Sequence, residues 1–240
     1  MQKQGSGRSS QPLCQRTWRN YLKGSRLFSL EALKVPHGFG TKYFGYRELE
    51  GLKLGRILEL EQVHGKDVLV LRKGDPIPPP PLPYDGVLTD RKGLVLVIRT
   101  ADCAPVLLWD PKKEIIGALH CGWRGILAGI IGEAIKALQK AFDSSPQDLI
   151  VAIGPMICKD CYQIGLDLVQ KFTEKYGPEV IYHENGQNFL RLNECIRKEA
   201  QHYGIKDLHF LDLCTCCNEH LFYSYRRSST SLRQLNFIAL

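Results

Sequence analysis

The chain has 240 residues, 44% hydrophobic and 24% charged, with a formal net charge of +7. That length suits one domain, or at most two small ones, and it buries enough surface to fold without a disulfide or a structural metal. Runs such as Leu94–Ile98 are far too short to span a bilayer, and the opening Met-Gln-Lys-Gln-Gly-Ser-Gly lacks the apolar stretch of a secretory signal.

The positive charge is concentrated at one end. Residues 1–34 carry seven bases (Lys3, Arg8, Arg16, Arg19, Lys23, Arg26 and Lys34) against Glu31 alone, a local charge of +6. The other 206 residues are nearly neutral at +1, which argues against a basic face that tracks nucleic-acid phosphates. Nine cysteines at irregular spacing, with no export signal, read as thiols or metal ligands in a reducing cytoplasm.

Residues 1–26 are polar, basic and Gly/Ser-rich near the start, so a mobile tail is expected, with a short helix around Trp18–Leu22. Residues 27–240 form the expected single domain. Asp75–Tyr84 has prolines at 76, 78, 79, 80, 81 and 83, and reads as an extended surface connector. Asp67–Arg72, Gly93–Thr100, Ala104–Trp109 and Glu114–His120 are predicted strands. Ile126–Phe142 is the clearest helix, with Ile126, Ile130, Ala134, Ala137 and Ala141 at helical spacing. Leu149–Ile153 is a predicted strand. Leu166–Lys175 and Asn193–Tyr203 are predicted helices, the second stopping at Gly204. Strands are then expected near Leu208–Leu213, Leu221–Tyr225 and Gln234–Leu240. Strands outnumber helices without strict alternation, which favours a mixed or antiparallel α+β sandwich.

Three segments end or interrupt strands with reactive groups: Gln62-Val63-His64-Gly65, Thr100-Ala101-Asp102-Cys103-Ala104-Pro105 and His120-Cys121-Gly122-Trp123-Arg124-Gly125. A lone rim histidine or core cysteine is usually structural. Together, His64, Cys103 and His120 offer a nitrogen–sulfur set for Zn²⁺ with a fourth position open for water. Asp102 beside the cysteine is a candidate to orient a ligand or shuttle a proton, but reads foremost as a hydrogen-bond partner of a ligand. Arg124 opens a helix, where backbone N–H groups also favour anions. Arg226 and Arg227 follow an aromatic segment and are candidates to complete an anion pocket. A second set, Cys158-Lys-Asp-Cys161 and Cys214-Thr-Cys216-Cys217, lies 53 residues apart in sequence. Four thiolates suffice for a structural zinc, but reduced cysteines in a turn and at a strand end are the simpler reading.

Gln-Val-His-Gly, Thr-Ala-Asp-Cys-x-Pro-Val-Leu-Leu, His-x-Gly-Trp-Arg-Gly, Ile-Gly-Pro-x-Ile and Cys-Thr…Phe-Tyr-Ser-Tyr-Arg-Arg occur here in that order. This series resembles the family once labelled multicopper polyphenol oxidase or laccase-like, whose members are described as purine nucleoside phosphorylases and adenosine deaminases. The resemblance runs from about His37-Gly38-Phe39 to Leu240. It implies a four-layer α/β/β/α sandwich and a catalytic metal triad on His64, Cys103 and His120, holding zinc or, in some accounts, copper. It implies phosphorolysis of adenosine, inosine, guanosine and methylthioadenosine, and deamination of adenosine. The implied partners are a purine nucleoside and phosphate, in a monomer or homodimer.

The chain also departs from the family pattern. Lys42 stands in Thr41-Lys42-Tyr43-Phe44-Gly45 where many members have Thr-Arg, keeping charge while losing the bidentate fork. An Asn-x-x-Arg loop before Gln62 is absent, and Ser231-Leu232-Arg233-Gln234 replaces Thr-Gly-Arg-Gln. Lys42, Arg124, Arg226 and Arg227 are the expected substrate contacts. Bacterial relatives described as peptidoglycan editing factors suggest the alternative of a metal-dependent amidase acting on a cell-wall precursor. Copper oxidase chemistry fits poorly, because copper prefers imidazoles and the seven histidines include no His-x-His pair. A Cys103 nucleophile activated by histidine, and a non-enzymatic metal-holding module, are further readings.

Overall fold

The structure, a computed structural model, describes residues 25–240. The chain runs β1 (Leu27–Phe28), β2 (His37–Gly40), α1 (Tyr46–Gly51), β3 (Arg56–Glu59), β4 (Val68–Leu71), β5 (Gly86–Thr89), β6 (Leu94–Thr100), β7 (Ala104–Asp110) and β8 (Ile115–Cys121). It continues α2 (Trp123–Ala128), α3 (Ile130–Phe142), β9 (Ile150–Ile153), β10 (Gln163–Ile164), α4 (Leu166–Tyr176), β11 (Ile181–Glu184), β12 (Gln187–Leu190) and α5 (Leu192–His202). It closes with β13 (Asp207–Phe210), α6 (Tyr225–Ser228) and β14 (Gln234–Ala239). None of the helices among the described residues is long and apolar enough to cross a membrane.

Mixed sheets and few helices form one domain. A five-stranded sheet has the order β1-β2-β14-β6-β3, a six-stranded sheet β13-β9-β7-β8-β5-β4, and a small sheet β10-β12-β11. The pairs β3–β6, β4–β5 and β9–β13 are parallel and the others antiparallel. Strand alternation sorts side chains into separate cores. In β7, Val106 and Leu108 join the cluster under α3–α5, while Leu107 joins the one shared with Leu96 and Ile98 of β6. Val95 and Val97 pack on the other side with Leu49 of α1 and Phe237 of β14. Burial on both faces explains why these strands read as continuous apolar runs.

The expected single helix over Ile126–Phe142 is two helices. It begins earlier, at Trp123, and breaks at Gly129, whose φ of 89° lies in the left-handed region. The Gly129 N–H caps the end of α2 by donating to Ile126 O. Glu199, buried on α5, ties three helices together: it accepts from Tyr176 Oη at 2.6 Å and from the Gly132 N–H at 3.3 Å.

The expected strand at Leu221–Tyr225 does not form. Its backbone partner is a side chain: the Tyr223 N–H donates to Gln234 Oε1 and Gln234 Nε2 donates back to Tyr223 O. Leu221 and Phe222 bury in a small cluster with Leu213. Ser224 then caps α6 by accepting from the Arg227 N–H. The strand expected over Leu208–Leu213 stops at Phe210. Strands β2, β3, β5 and β10–β12 and helix α1, which the sequence pattern did not announce, are short pieces of two to six residues. The expected tail, with its Trp18–Leu22 helix, lies outside the described residues except for Ser25 and Arg26, whose carbonyls accept from the Thr41 hydroxyl.

Gly129→Ala should lower stability by about 1–2 kcal/mol, the cost of a left-handed conformation for a residue with a Cβ. Urea unfolding checks this: the midpoint falls while the slope is unchanged.

Candidate metal centre and cavity

Three chain segments converge at one end of the six-stranded sheet. Ala104 at the start of β7 pairs with Cys121 at the end of β8. Gly86 at the start of β5 pairs with Leu119 of β8 and with Val68 of β4. The loops ahead of β4, β5 and β7 therefore meet the end of β8. They bring His64, Asp85 and Cys103 to His120, whose parity on β8 matches Ile116 and Ala118 and turns it toward the other sheet.

The donor atoms of His64, Cys103 and His120 lie within 4.8 Å of one another. His64 is exposed, Cys103 half-buried and His120 buried, so the group opens on one side. The two imidazole rings stand 4.8 Å apart at 68°. The space between the donors exists because residue 122 is glycine. A Cβ there would lie 3.1 Å from Cys103 Sγ and 3.2 Å from His64 Nδ1. Two imidazoles, a thiol and a clear pocket between them fit a divalent metal with affinity for nitrogen and sulfur.

Asp85 organises the group. Its fully buried carboxylate accepts from the His64 N–H at 3.0 Å, the Gly65 N–H at 2.6 Å and His120 Nδ1 at 2.7 Å. Burial alone would raise its pKa, but the bonds from His120 and Gly65 hold it below the usual carboxylate range. An ionised Asp85 makes Nδ1 the protonated nitrogen and leaves Nε2 of His120 for a ligand. Asp85 also accounts for the unusual backbone at His64, with φ of 61°, since its two oxygens clamp successive amides there.

Charge in the metal-free group is polarised. Burial pushes the Cys103 thiol up, but the His120 charge and the hydrogen bonds from His120 and His64 outweigh it and bring the thiol to about 6. Burial opposes the His120 cation, yet the Cys103 thiolate and the Asp85 bond raise it to about 9.

Asp102 does not reach the donors with its carboxylate. It accepts from Thr215 Oγ1 at 2.7 Å, Ser224 Oγ at 3.0 Å and the Arg226 N–H at 2.7 Å, tying the C-terminal segment to the β6–β7 turn. The sequence reading made it a hydrogen-bond partner of a ligand, whereas its carboxylate bonds Thr215, Ser224 and the Arg226 amide.

A cavity of about 780 Å³ lies over the donors. Arg99, Arg124, Arg226 and Arg233 line it, with Asp102 as the one carboxylate among its lining residues. Trp123, Tyr162 and Tyr225 add aromatic surface, and Ile157, Ile164 and Leu168 an apolar wall. Arg124 stacks on Trp123 at 4.4 Å from the ring centroid. Arg226 crosses Tyr162 and donates to Cys161 O and Gln163 O.

Two expected substrate contacts are elsewhere. Lys42 Nζ donates to Glu219 O and does not line the cavity. Arg227 spends its guanidinium on Thr215 O, Cys216 O and Phe222 O, which fixes the turn preceding α6. Arg99 lies inside a predicted strand and Asp85 is a single acid after a proline-rich loop, so neither carries a pattern that marks it in the sequence.

At pH 7, between these two pKa values, metal uptake should displace about one proton, the one on His120 Nε2. Affinity should rise with pH up to about 9, and fall more steeply below about 6, where the thiol also takes a proton. Titration calorimetry in buffers of different ionisation enthalpy measures both. Asp85→Asn should weaken metal binding by about 10- to 100-fold, as expected for the residue that orients a ligating histidine.

The family model described as "Multi-copper polyphenol oxidoreductase laccase" matches residues 45–240. Purine nucleoside phosphorylase YlmD of Geobacillus stearothermophilus is 34% identical over 195 residues, 74% of this chain and 70% of that protein. A purine nucleoside phosphorylase of Aquifex aeolicus is 31% identical over 210 residues, 88% of this chain and 94% of that protein. The crystal structure of Bacillus licheniformis hypothetical protein YfiH shares the fold with a TM-score of 0.82 at 26% identity, covering 91% of this chain and 98% of that one. With the matched region reaching across the donor group, the cavity and the last strand, this chain belongs to the multi-copper polyphenol oxidoreductase laccase family.

Proposed function

We propose that the protein is a zinc-dependent purine nucleoside phosphorylase acting on adenosine, inosine, guanosine and methylthioadenosine, with adenosine deaminase activity. The observation that carries this reading is a cavity with four arginines and an aromatic and apolar wall beside a two-histidine, one-cysteine group. The names of the relatives support the same class of reaction.

Phosphorolysis joins a phosphate oxygen to C1′ of the ribose and breaks the bond from C1′ to the purine nitrogen. The base leaves with a proton and ribose 1-phosphate remains. Guanidinium groups suit this reaction because they hold phosphate through paired charge-assisted hydrogen bonds. Arg124 is the leading candidate. Its guanidinium carbon lies over the Trp123 ring, 4.4 Å from the centroid, and both residues line the cavity. Trp123, Tyr162 and Tyr225 supply π surface of the kind on which a purine stacks. Zn²⁺, when bound by His64, Cys103 and His120, supplies Lewis acidity and makes a coordinated water more acidic. Asp85 holds His120 in the tautomer that can ligate. In deamination, water adds at C6 of adenine and ammonia leaves, so a proton must reach the departing nitrogen. Lys42 and Arg227 take no part in this proposal: neither lines the cavity, and each is bonded to backbone carbonyls.

Purified protein incubated with inosine and phosphate should yield hypoxanthine and ribose 1-phosphate, with no hypoxanthine when phosphate is omitted. Arg124→Ala should remove a charge-assisted bond of about 1.5–3 kcal/mol. That corresponds to a rise in phosphate KM of about 10- to 150-fold. No phosphate-dependent cleavage of any of the four nucleosides would overturn the reading.

A further inference from the structure

We infer that the protein carries a second metal site, a structural Zn²⁺ held by the thiolates of Cys158, Cys161, Cys214 and Cys217. Their sulfurs all lie within 4.8 Å of one another. Cys158 Sγ and Cys217 Sγ are 3.8 Å apart, and Cys161 Sγ and Cys217 Sγ 3.3 Å. A tetrahedron with Zn–S bonds of about 2.3 Å sets its sulfurs about 3.8 Å apart.

The sequence hides the motif. Cys214 and Cys217 have the same C-x-x-C spacing as Cys158 and Cys161, but Cys216 between them makes the run look irregular. Each pair sits on a tight turn. Cys161 N–H donates to Cys158 O, and Cys217 N–H donates to Cys214 Sγ at 3.4 Å. The Cys158 N–H reaches across to the same sulfur at 3.3 Å. Amide donors aimed at a cysteine sulfur favour its thiolate form. The two turns are joined by backbone: Met156 and Cys214 form a parallel bridge, with Thr215 N–H donating to Met156 O.

Charge is balanced locally. Zn²⁺ with four thiolates carries a net charge of about −2, which a partly buried position disfavours without counter-charge. Two guanidiniums sit on the carbonyls of these same turns: Arg226 on Cys161 O, and Arg227 on Thr215 O and Cys216 O. On binding, each thiol that ligates gives its proton to solvent. Thiolate donors in tetrahedral array select zinc over the harder divalent cations. The site would fasten the turn bearing Tyr162 and Gln163, which wall the cavity, to the turn whose Thr215 bonds Asp102.

The test uses the full chain without a histidine tag, and it reads no catalysis, so it stands apart from the phosphorolysis reading. In a His64→Ala/Cys103→Ala variant, which removes the first donor group, elemental analysis should find about one Zn²⁺ per chain, and X-ray absorption should show four sulfurs at about 2.3 Å. Cys216→Ser added to that variant should keep the ion, and Cys158→Ser/Cys217→Ser should lose it. If the last variant does not fold, the sulfur shell and zinc content of the first still decide. Absence of zinc, iron in its place, a shell containing nitrogen, or disulfides among these cysteines in freshly purified protein would overturn the inference.

Discussion

A buried carboxylate at position 85 is the interaction on which the candidate site depends. Asp85 is fully buried, and such a group is tolerated only when its oxygens are satisfied. Here they accept from two successive amides of the His64 loop and from the His120 ring. One side chain therefore sets the position of one donor through its backbone and the tautomer of another through its ring. Removing it would leave those amides and the ring without their acceptor, and not simply subtract a charge.

A second carboxylate, next to Cys103, repeats this device. Asp102, at the turn between the two large sheets, takes Thr215, Ser224 and the Arg226 amide. That turn also presents Cys103. Side-chain hydrogen bonds thus tie residues 215–226 to the turn bearing the donor cysteine, beside the pairing of β14 with β6, and Gln234 completes the arrangement by substituting its amide for a strand partner of Tyr223. Polar side chains do the positioning at this end of the molecule, while the apolar clusters on both faces of each large sheet supply the stability.

The charge distribution now has a local meaning. Beyond residue 34 the chain is almost neutral, yet four arginines face a single cavity. Such a concentration in a concave site raises the local potential for an anion far more than the net charge indicates. Arg226 and Arg227, adjacent in sequence, divide the work. Arg226 lines the cavity while bonding the Cys161 turn, and Arg227 is committed to carbonyls of the Cys214–Cys217 turn.

Several features follow from sequence alone. The long central strands, helices α4 and α5 and the α+β class are legible because burial on a pleated or helical face imposes period and length on apolar residues. The three donors are legible because reactive groups stand at strand ends, within motifs long enough to show the family resemblance. Tertiary structure decided the rest. Whether Gly129 continues or breaks a helix depends on its backbone angle, and whether Leu221–Tyr225 is a strand depends on a side chain eleven residues away. Asp85, the roles separating Arg226 from Arg227, and the meeting of Cys158 and Cys161 with Cys214 and Cys217 were settled by contacts between segments distant in the chain. Periodicity records which face of an element is buried, but a hydrogen bond or a shared set of donors between remote loops leaves no period in the sequence, because only the packed sheets bring those loops together.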